Sequence, residues 1–251
     1  MNRKKEDYPM QEELIRTAML LGDDAMAVLG RSHVAVFGLG GVGSYAAEAL
    51  CRAGVGHLTL IDQDTLSLSN INRQLYALHS TVGMAKAEAA AARCRDIRPD
   101  VDARPLVATY DAAHREAFFT EEYDYIVDAI DLVSCKLDLI DQARRRHIPI
   151  LSALGTGNKL DPTLLTISDI AKTSVCPLAR VMRKELRARG ITHCKVCFST
   201  EEAIAPEQRE APPPGRRSVP GSVSWVPSSA GLLMAGTVVQ DLLRGTGVIP
   251  R

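Results

Sequence analysis

The chain of 251 residues carries 30 basic and 30 acidic residues, so its formal charge is zero, and 46% of its residues are hydrophobic. This composition is typical of a globular α/β domain with a full core, and the charge balance excludes nucleic-acid binding through overall charge alone. The six cysteines are too few for a disulfide scaffold of this size, which indicates reduced thiols and a cytoplasmic protein.

The first 30 residues are predicted to form a helical arm. Apolar residues recur at helical spacing over residues 14–21, and Gly22 followed by two aspartates indicates a break and a restart. The first residues of the chain are basic but have no apolar core behind them, which argues against a secretory signal.

Four short apolar segments follow, and alanine-rich helical stretches separate them. Strands that are apolar on both faces and alternate with helices are typical of a parallel sheet covered on both sides. Residues 31–155 are therefore predicted to form a doubly wound, Rossmann-like, mostly parallel α/β region. The four segments are HVAVFG, HLTLID, YDYIVDAID and IPILSAL.

Residues 156–251 are predicted to form a smaller C-terminal substrate-binding part of the same continuous domain. LLTISDI is typical of a strand, and PLARVMRKELRARG is typical of a helix with proline in its first turn. A proline-rich, mobile loop is expected over residues 205–224.

A final helix is predicted near the end of the chain. Ser228 or Ser229 is expected to cap it, and the helix is expected to run to about Arg244. Its apolar run, residues 230–239, is too short to span a bilayer, so no membrane partner is expected.

A glycine-rich turn lies between the first predicted strand and a helix. Gly38, Gly40 and Gly43 fit the GxGxxG pattern, and Asp62 ends the next strand about 20 residues further on. Such a turn lets the backbone approach a phosphate at a helix N-terminus, and the aspartate can bind ribose hydroxyls. The pattern indicates a nucleotide site but leaves open a dinucleotide or ATP.

Polar side chains after the second strand favour a triphosphate. A dinucleotide needs no further cations, because the glycine turn already holds its pyrophosphate, whereas a triphosphate carries more charge. Asp131, at the end of a later strand, is placed to hold Mg²⁺. Surface positions or a helix cap would explain each of these residues singly, but the combination favours ATP. The cluster after the second strand comprises Asp62, Asp64, Asn70, Asn72, Arg73, Gln74 and Lys86.

Three stretches together resemble a known enzyme family. GLGGVGSYAAEALCRAGVGHLTLIDQDTLSLSNINRQ, VGMAKAE and DAID are similar to the adenylating enzymes related to ubiquitin activators and to the activators of molybdopterin and thiamin sulfur carriers. The resemblance covers residues 11–155. It implies that a carboxylate attacks the α-phosphate of ATP and gives an acyl-adenylate and pyrophosphate. No general base is needed, since a carboxylate is ionised at neutral pH.

The resemblance also implies roles for individual residues. Gly41 is expected to lie against the α-phosphate, Asp62 to bind ribose, and Asp131 to bind Mg²⁺. Arg16 matches an arginine that reaches the ATP of the other subunit of a homodimer, with an ordinary surface arginine as the alternative. The helical arm would then be a dimer contact, and a need for a monovalent cation is left open. The catalytic residues expected are Arg16, Arg73, Lys86 and Asp131, and the other nucleotide-binding residues expected are Gly38, Gly40, Gly43, Asp64 and Asn70.

Two later stretches resemble a subfamily of these enzymes, the tRNA threonylcarbamoyladenosine dehydratases. They are SALGTGNKLDPTLLTISDIAKTSVCPLARVMRKELRARGI and CKVCFSTEEA. The resemblance implies adenylation of the threonine carboxylate of the modified adenosine beside the anticodon. The activated carboxyl then cyclises on the neighbouring carbamoyl group and releases AMP, so no catalytic cysteine is required.

A basic helix face is expected to bind the phosphates of tRNA. Arg180, Arg183, Lys184 and Arg187 recur at helical spacing, and Arg217 lies in the mobile loop. A solvated helix face is the alternative. The candidates for contacts with the modified base are Lys159, Asp169 and Lys172, which ordinary loop positions explain equally well.

The cysteine pattern separates this function from its main alternative. Activators of sulfur carriers typically bind zinc through two CxxC pairs, whereas Cys194 and Cys197 form a single pair that Cys176 and His193 would have to complete. Free thiols are therefore favoured over zinc. The alternative function is adenylation of the C-terminal glycine of a ubiquitin-like sulfur carrier, and a sulfur-transfer partner is left open. A nicotinamide-dependent oxidoreductase and a non-catalytic nucleotide-binding scaffold are further alternatives.

Overall fold

The computed structural model describes residues 11–209 and 219–248. Its strands are β1 (His33–Phe37), β2 (His57–Ile61), β3 (Asp102–Leu106), β4 (Tyr125–Asp128), β5 (Ile150–Ala153), β6 (Leu165–Asp169) and β7 (Lys195–Ser199). They form one seven-stranded sheet in the order β3-β2-β1-β4-β5-β7-β6, in which only the β6–β7 pair is antiparallel. The mostly parallel, doubly wound α/β fold predicted from the sequence is confirmed.

Helices cover both faces of this sheet. Along β1, Val34 and Val36 point into the core formed with α2, α3, α4 and α7, while Ala35 and Phe37 point into the core formed with α5. The helix α6 packs on the same side as α5, over β7. The described helices are α1 (Ile15–Leu21), α2 (Asp23–Arg31), α3 (Gly43–Ala53), α4 (Lys86–Ile97), α5 (Val133–Arg145), α6 (Pro177–Ala188) and α7 (Trp225–Gly245).

Two strands of the sheet have no counterpart among the predicted elements. The strand β3 lies at an edge, and its sequence DARPL exposes Arg104 and Pro105, so it lacks the apolar run of a central strand. The strand β7 has five residues, of which four are buried. Because β7 pairs with β5, the second half of the chain extends the first sheet rather than starting another.

The final helix differs from its prediction in start and length. It begins at Trp225, and the hydroxyls of Ser228 and Ser229 donate to the carbonyl oxygens of Ser224 and Trp225, one turn earlier, so neither serine caps the helix. The apolar run noted in the sequence, residues 230–239, covers only part of this helix. With 21 residues, α7 is long and apolar enough to cross a membrane by length and composition alone. Its buried face packs on α3, however, as in the core helix of a globular domain. A side chain at Gly231 would collide with the carbonyl oxygen of Val42.

Candidate functional site

A cleft of about 530 Å³ lies at the carboxyl ends of β1, β2 and β4. At this edge the strand order reverses. The strands β2 and β3 lie on one side of β1, and the strands β4 and β5 lie on its other side. Open parallel sheets bind ligands at this switch point. The predicted nucleotide-site residues that line the cleft are Gly38, Gly40, Gly41, Asp62, Asp64, Arg73, Gln74, Lys86 and Asp131.

The glycine turn is packed so closely that its first and last positions exclude side chains. Gly38 has a φ of +88°, and a Cβ atom there would lie 2.6 Å from the carbonyl oxygen of Ala129. A Cβ atom on Gly43 would collide with the carbonyl oxygen of Gly38. Gly43 therefore lets α3 begin directly against the turn and does not itself line the cleft. Gly40 and Gly41 form the part of the turn that a ligand can approach.

Asp62 joins the glycine turn to the end of β2. The amide N–H groups of Leu39 and Asp64 donate to its two carboxylate oxygens at 2.7 and 2.8 Å. Lys86 is the first residue of α4 and is almost fully buried. Its Nζ lies 2.7 Å from Asp64 Oδ2 and 4.0 Å from Asp62 Oδ1. One cation and two carboxylates are thus held beside the turn.

Arg73 reaches the cleft from the loop before α4, and Asn70 shapes that loop. Arg73 is half-buried, and its Nη1 donates to the carbonyl oxygen of Ser69 and to Asn72 Oδ1, both at 2.8 Å. The buried side chain of Asn70 accepts the N–H of Ser67 at 3.2 Å and closes a capping box. Asn70 does not line the cleft. Its amide is engaged within the loop that carries Arg73.

Asp131 is an exposed carboxylate in the loop after β4. Among the described residues it has no hydrogen-bond or ion-pair partner. A carboxylate beside a phosphate-binding turn fits Mg²⁺, which binds through one or two carboxylates together with nucleotide phosphates. The described part of the chain holds no group of three His, Cys, Asp or Glu side chains that could bind a metal. Asp131 would therefore share the ion with a nucleotide.

Arg16 lies outside the cleft, on the exposed side of α1. The start of this arm packs against the end of α3, where Leu14 would contact a side chain at Gly54. Met19 and Leu20, on the same helix, are 76% and 72% exposed, which is unusual for large apolar side chains that lie together. The role of Arg16 across a dimer stays a prediction.

The basic residues of α6 divide into two groups. Arg180, Lys184 and Arg187 are exposed at spacings of one and two turns. Arg183 is half-buried instead, and its Nη1 donates to the carbonyl and hydroxyl oxygens of Thr173 at 2.7 and 2.6 Å. Arg183 therefore fixes the segment before α6. Arg217 lies outside the described residues.

The three candidates for contacts with the modified base do not line the cleft. Lys159 is buried, and its Nζ donates to the carbonyl oxygen of Glu201. Asp169 accepts the N–H of Ala171 at 2.8 Å and caps a short helix. Lys172 is exposed. The structure gives two of these side chains local contacts that hold the second half of the chain together.

The CxxC cysteines lie on opposite faces of the sheet. Cys194 packs with Cys176 in the apolar cluster beneath α6, and Cys197 packs in the cluster beneath α3 and α7. Two sulfurs on opposite faces do not converge on one ion. Burial raises the pKa of both thiols to about 12, so both are protonated at neutral pH.

One part of the cleft, formed by residues after β3, has no counterpart among the predicted site residues. Ala108, Thr109 and Tyr110 line the cleft near the glycine turn. The hydroxyl of Tyr110 donates to Asp138 Oδ2 at 2.8 Å, which holds the aromatic ring in place. Because β3 has no apolar run, its sequence gave no indication that functional residues follow it.

Another part of the cleft comes from two segments of the second half. Thr156 and Gly157 follow β5, and residues 220–222 precede α7. Asn158 and Gly221 join these segments, since each donates a backbone N–H to the other at 2.8 and 2.7 Å. The resemblance of the stretch SALGTGNKLDP to a dehydratase subfamily is the signal that pointed to this region.

Comparisons with known proteins agree with this geometry. A profile described as the ThiF family matches residues 14–246. The tRNA threonylcarbamoyladenosine dehydratase of Bacillus subtilis (strain 168) is 41% identical over 244 residues, which cover 94% of this chain and 96% of that protein. The crystal structure of the Escherichia coli tRNA N6-threonylcarbamoyladenosine dehydratase in complex with ATP has a TM-score of 0.85 at 33% identity and covers 94% of this chain and 95% of its own. The molybdopterin-synthase adenylyltransferase of Escherichia coli (strain K12) is 35% identical over 146 residues, 58% of each chain.

Proposed function

The chain belongs to the ThiF family, and we propose that it is an ATP-dependent adenylating enzyme that dehydrates threonylcarbamoyladenosine beside the anticodon of tRNA. Relatives that match nearly the whole chain carry this activity in their names, whereas the adenylyltransferase of a sulfur carrier matches about half of it. One observation carries the proposal. Lys86, Arg73 and Asp131 converge on the glycine turn in a single cleft.

The cleft residues suggest how ATP is held. Gly40 and Gly41 stand at the N-terminus of α3, where free backbone N–H groups and the helix dipole favour the α-phosphate. Asp62 binds the ribose hydroxyls. The outer phosphates extend toward Arg73 and Lys86, and Lys86 then exchanges its contact with Asp64 for one with phosphate. Asp64 can release the lysine because its side chain is 56% exposed and regains water.

Adenylation needs positioning and charge rather than a base. A carboxylate oxygen of the threonine moiety attacks the α-phosphorus in line, and the bond to the bridging oxygen of pyrophosphate breaks. Negative charge gathers on the leaving pyrophosphate, where Arg73 and Lys86 offset it. Losing one such preorganised group typically slows a reaction by about 10²–10³-fold. Mg²⁺ held at Asp131 would supply further charge neutralisation on the phosphates.

The second step is an internal cyclisation. The carbamoyl group beside the acyl-adenylate attacks the activated carbonyl carbon, and AMP leaves with one of the former carboxylate oxygens. The proton from the carbamoyl group passes to solvent. The nucleoside thus loses the elements of water while ATP becomes AMP and pyrophosphate. Because the acceptor belongs to the same molecule, no thiol nucleophile is needed, and the burial of the cysteines fits this route.

The proposal includes the wider assembly. Arg180, Lys184 and Arg187 bind phosphates of the tRNA along the exposed face of α6. A homodimer buries Met19 and Leu20 and brings Arg16 of each subunit to the ATP of the other. We place the enzyme in the cytoplasm, where its tRNA substrate is found.

Nucleoside mass spectrometry tests the function directly. Purified protein is incubated with ATP, Mg²⁺ and tRNA that carries threonylcarbamoyladenosine, with a ubiquitin-like sulfur-carrier protein as the parallel substrate. We expect a modified nucleoside lighter by one water, together with AMP and pyrophosphate, only in the tRNA reaction. A carrier adenylate with unchanged tRNA would instead establish the alternative function.

A further inference from the structure

A fully buried ion pair lies behind the loop that carries Asp131. Lys136 Nζ lies 2.9 Å from Asp128 Oδ2, and neither side chain is exposed to solvent. Asp128 is the last residue of β4, and Lys136 lies in the first turn of α5. The pair therefore bridges the two ends of the short loop formed by residues 129–132.

The pair holds the residue before Asp131 by both of its backbone polar groups. The N–H of Ile130 donates to Asp128 Oδ1 at 3.1 Å, and Lys136 Nζ donates to the carbonyl oxygen of Ile130 at 3.0 Å. The hydroxyl of Ser152, on β5, donates to Asp128 Oδ2 at 2.5 Å. A buried network in which each member has a partner is rigid.

The same loop is fixed against the glycine turn. The N–H of Ala129 donates to the carbonyl oxygen of Phe37 at 2.8 Å, and Gly38 packs directly on the carbonyl group of Ala129. Ala129 is thus held by the phosphate-binding turn, and Ile130 is held by the ion pair. Together these contacts set the distance between Asp131 and the glycine turn.

Stability alone gives a weak reason for such a pair. Desolvating two charges is costly, and well-packed apolar residues of similar volume are often as stabilising or more so. Within residues 11–209 and 219–248, the side-chain hydrogen bonds that the pair makes to other residues go to Ile130 and Ser152. Lys136 does not line the cleft, so it has no direct contact with a nucleotide there.

We propose that Lys136 is a positioning residue that, through Ile130 and with Asp128 as its partner, fixes the Asp131 carboxylate where a metal ion bound to the nucleotide phosphates meets it. The inference rests on the proposed function, because it takes Asp131 as the metal ligand of an ATP site. Loss of such outer contacts to a metal ligand typically costs about 10–100-fold in metal affinity or activity.

The test uses the double variant Asp128→Asn/Lys136→Met. Lys136→Met alone would leave Asp128 as an uncompensated buried charge and threaten folding. The double variant removes both charges and keeps most of the volume. Its amide oxygen still accepts the N–H of Ile130, and its amide NH2 donates to the hydroxyl oxygen of Ser152. ATP affinity is measured by calorimetry with Mg²⁺ and again with EDTA. We expect the gain in affinity on adding Mg²⁺ to fall about 10-fold, while the affinity in EDTA stays unchanged. Hydrogen exchange of the Ile130 amide in the nucleotide-free protein should become faster.

Two further variants serve as controls, one for loss of stability and one for loss of the metal ligand. Lys195→Met removes a partly buried ion pair with Asp241, between β7 and α7 and away from the cleft, and should lower the melting temperature without changing the Mg²⁺ gain. Asp131→Asn should abolish the gain. A double variant with the wild-type gain and wild-type exchange at Ile130 would overturn the inference. If wild-type protein binds ATP with the expected gain but leaves modified tRNA unchanged, the proposed function fails while the role of Lys136 stands.

Discussion

Replacing Lys86 by methionine removes a charge from the cleft but keeps most of the side-chain volume. The lysine side chain is 7% exposed and lies 2.7 Å from Asp64 and 4.0 Å from Asp62. Two unit charges 4 Å apart attract by about 4 kcal/mol at an effective dielectric constant of about 20, before desolvation is subtracted. Without the lysine, Asp64 can be rehydrated, so the lost attraction mainly destabilises Asp62, whose side chain is 9% exposed. We expect the free energy of unfolding to drop by about 2 kcal/mol.

Two assays separate the structural loss from the catalytic one. A change of about 2 kcal/mol in a chain of this size lowers the melting temperature by about 4–8 °C, which thermal unfolding measures. AMP formation with modified tRNA should fall about 10²–10³-fold. Arg73→Ala is the matched variant, because Arg73 is half-buried and its guanidinium bonds to Ser69 and Asn72 within its own loop. It should lose similar activity while its unfolding free energy falls by only about 1 kcal/mol.

Two outcomes would contradict these expectations. Lys86→Met with AMP formation close to wild type would refute the role of the lysine in neutralising phosphate. Equal loss of stability in Lys86→Met and Arg73→Ala would contradict the difference between the buried ion pairs of Lys86 and the local loop contacts of Arg73, from which the magnitudes follow.

Three other predictions address the helix α6, the thiols and the core. Arg180→Ala/Arg187→Ala should weaken tRNA binding and reduce the slope of log K against log salt by about 1.4–1.8. The control Arg183→Ala should lower the melting temperature and leave that slope unchanged. Equal slopes in the two variants would contradict phosphate binding by Arg180 and Arg187. The CxxC thiols, with pKa values of about 12, should resist iodoacetamide at pH 8 until the protein unfolds, and fast labelling of folded protein would contradict their burial. Gly231→Ala should destabilise the chain by about 1–3 kcal/mol through overpacking against α3. Gly236→Ala is the control, because Gly236 has open space around it, and it should not destabilise the chain in the same thermal unfolding assay.

The unit β1–α3–β2 could be predicted because its signals are local. Apolar strands, three glycines at fixed spacing and an acidic residue at the end of the second strand suffice to place the nucleotide turn. The cleft residues of this unit, such as Gly40 and Gly41, and Asp62 directly after it follow from that placement. Local pattern and final geometry agree here because the chain folds back on itself within one βαβ unit.

Other features depend on contacts that no local pattern encodes. Arg183 matches a basic helix face by spacing, but Thr173, ten residues earlier, takes up its guanidinium. Lys136 looks like a surface residue of an amphipathic helix, yet Asp128 makes its burial possible. The edge strand β3 gains its place from pairing with β2 rather than from its own sequence. Tertiary partners, not propensity, decide each of these cases.

Oxygen-18 tracing tests the central chemistry most directly. Both oxygens of the threonine carboxylate in the tRNA substrate are labelled, the reaction is run with unlabelled ATP and Mg²⁺, and the nucleotide products are analysed by mass spectrometry. Attack of the carboxylate on the α-phosphorus predicts one labelled oxygen in AMP and none in pyrophosphate. Unlabelled AMP, or ADP with labelled phosphate, would contradict it.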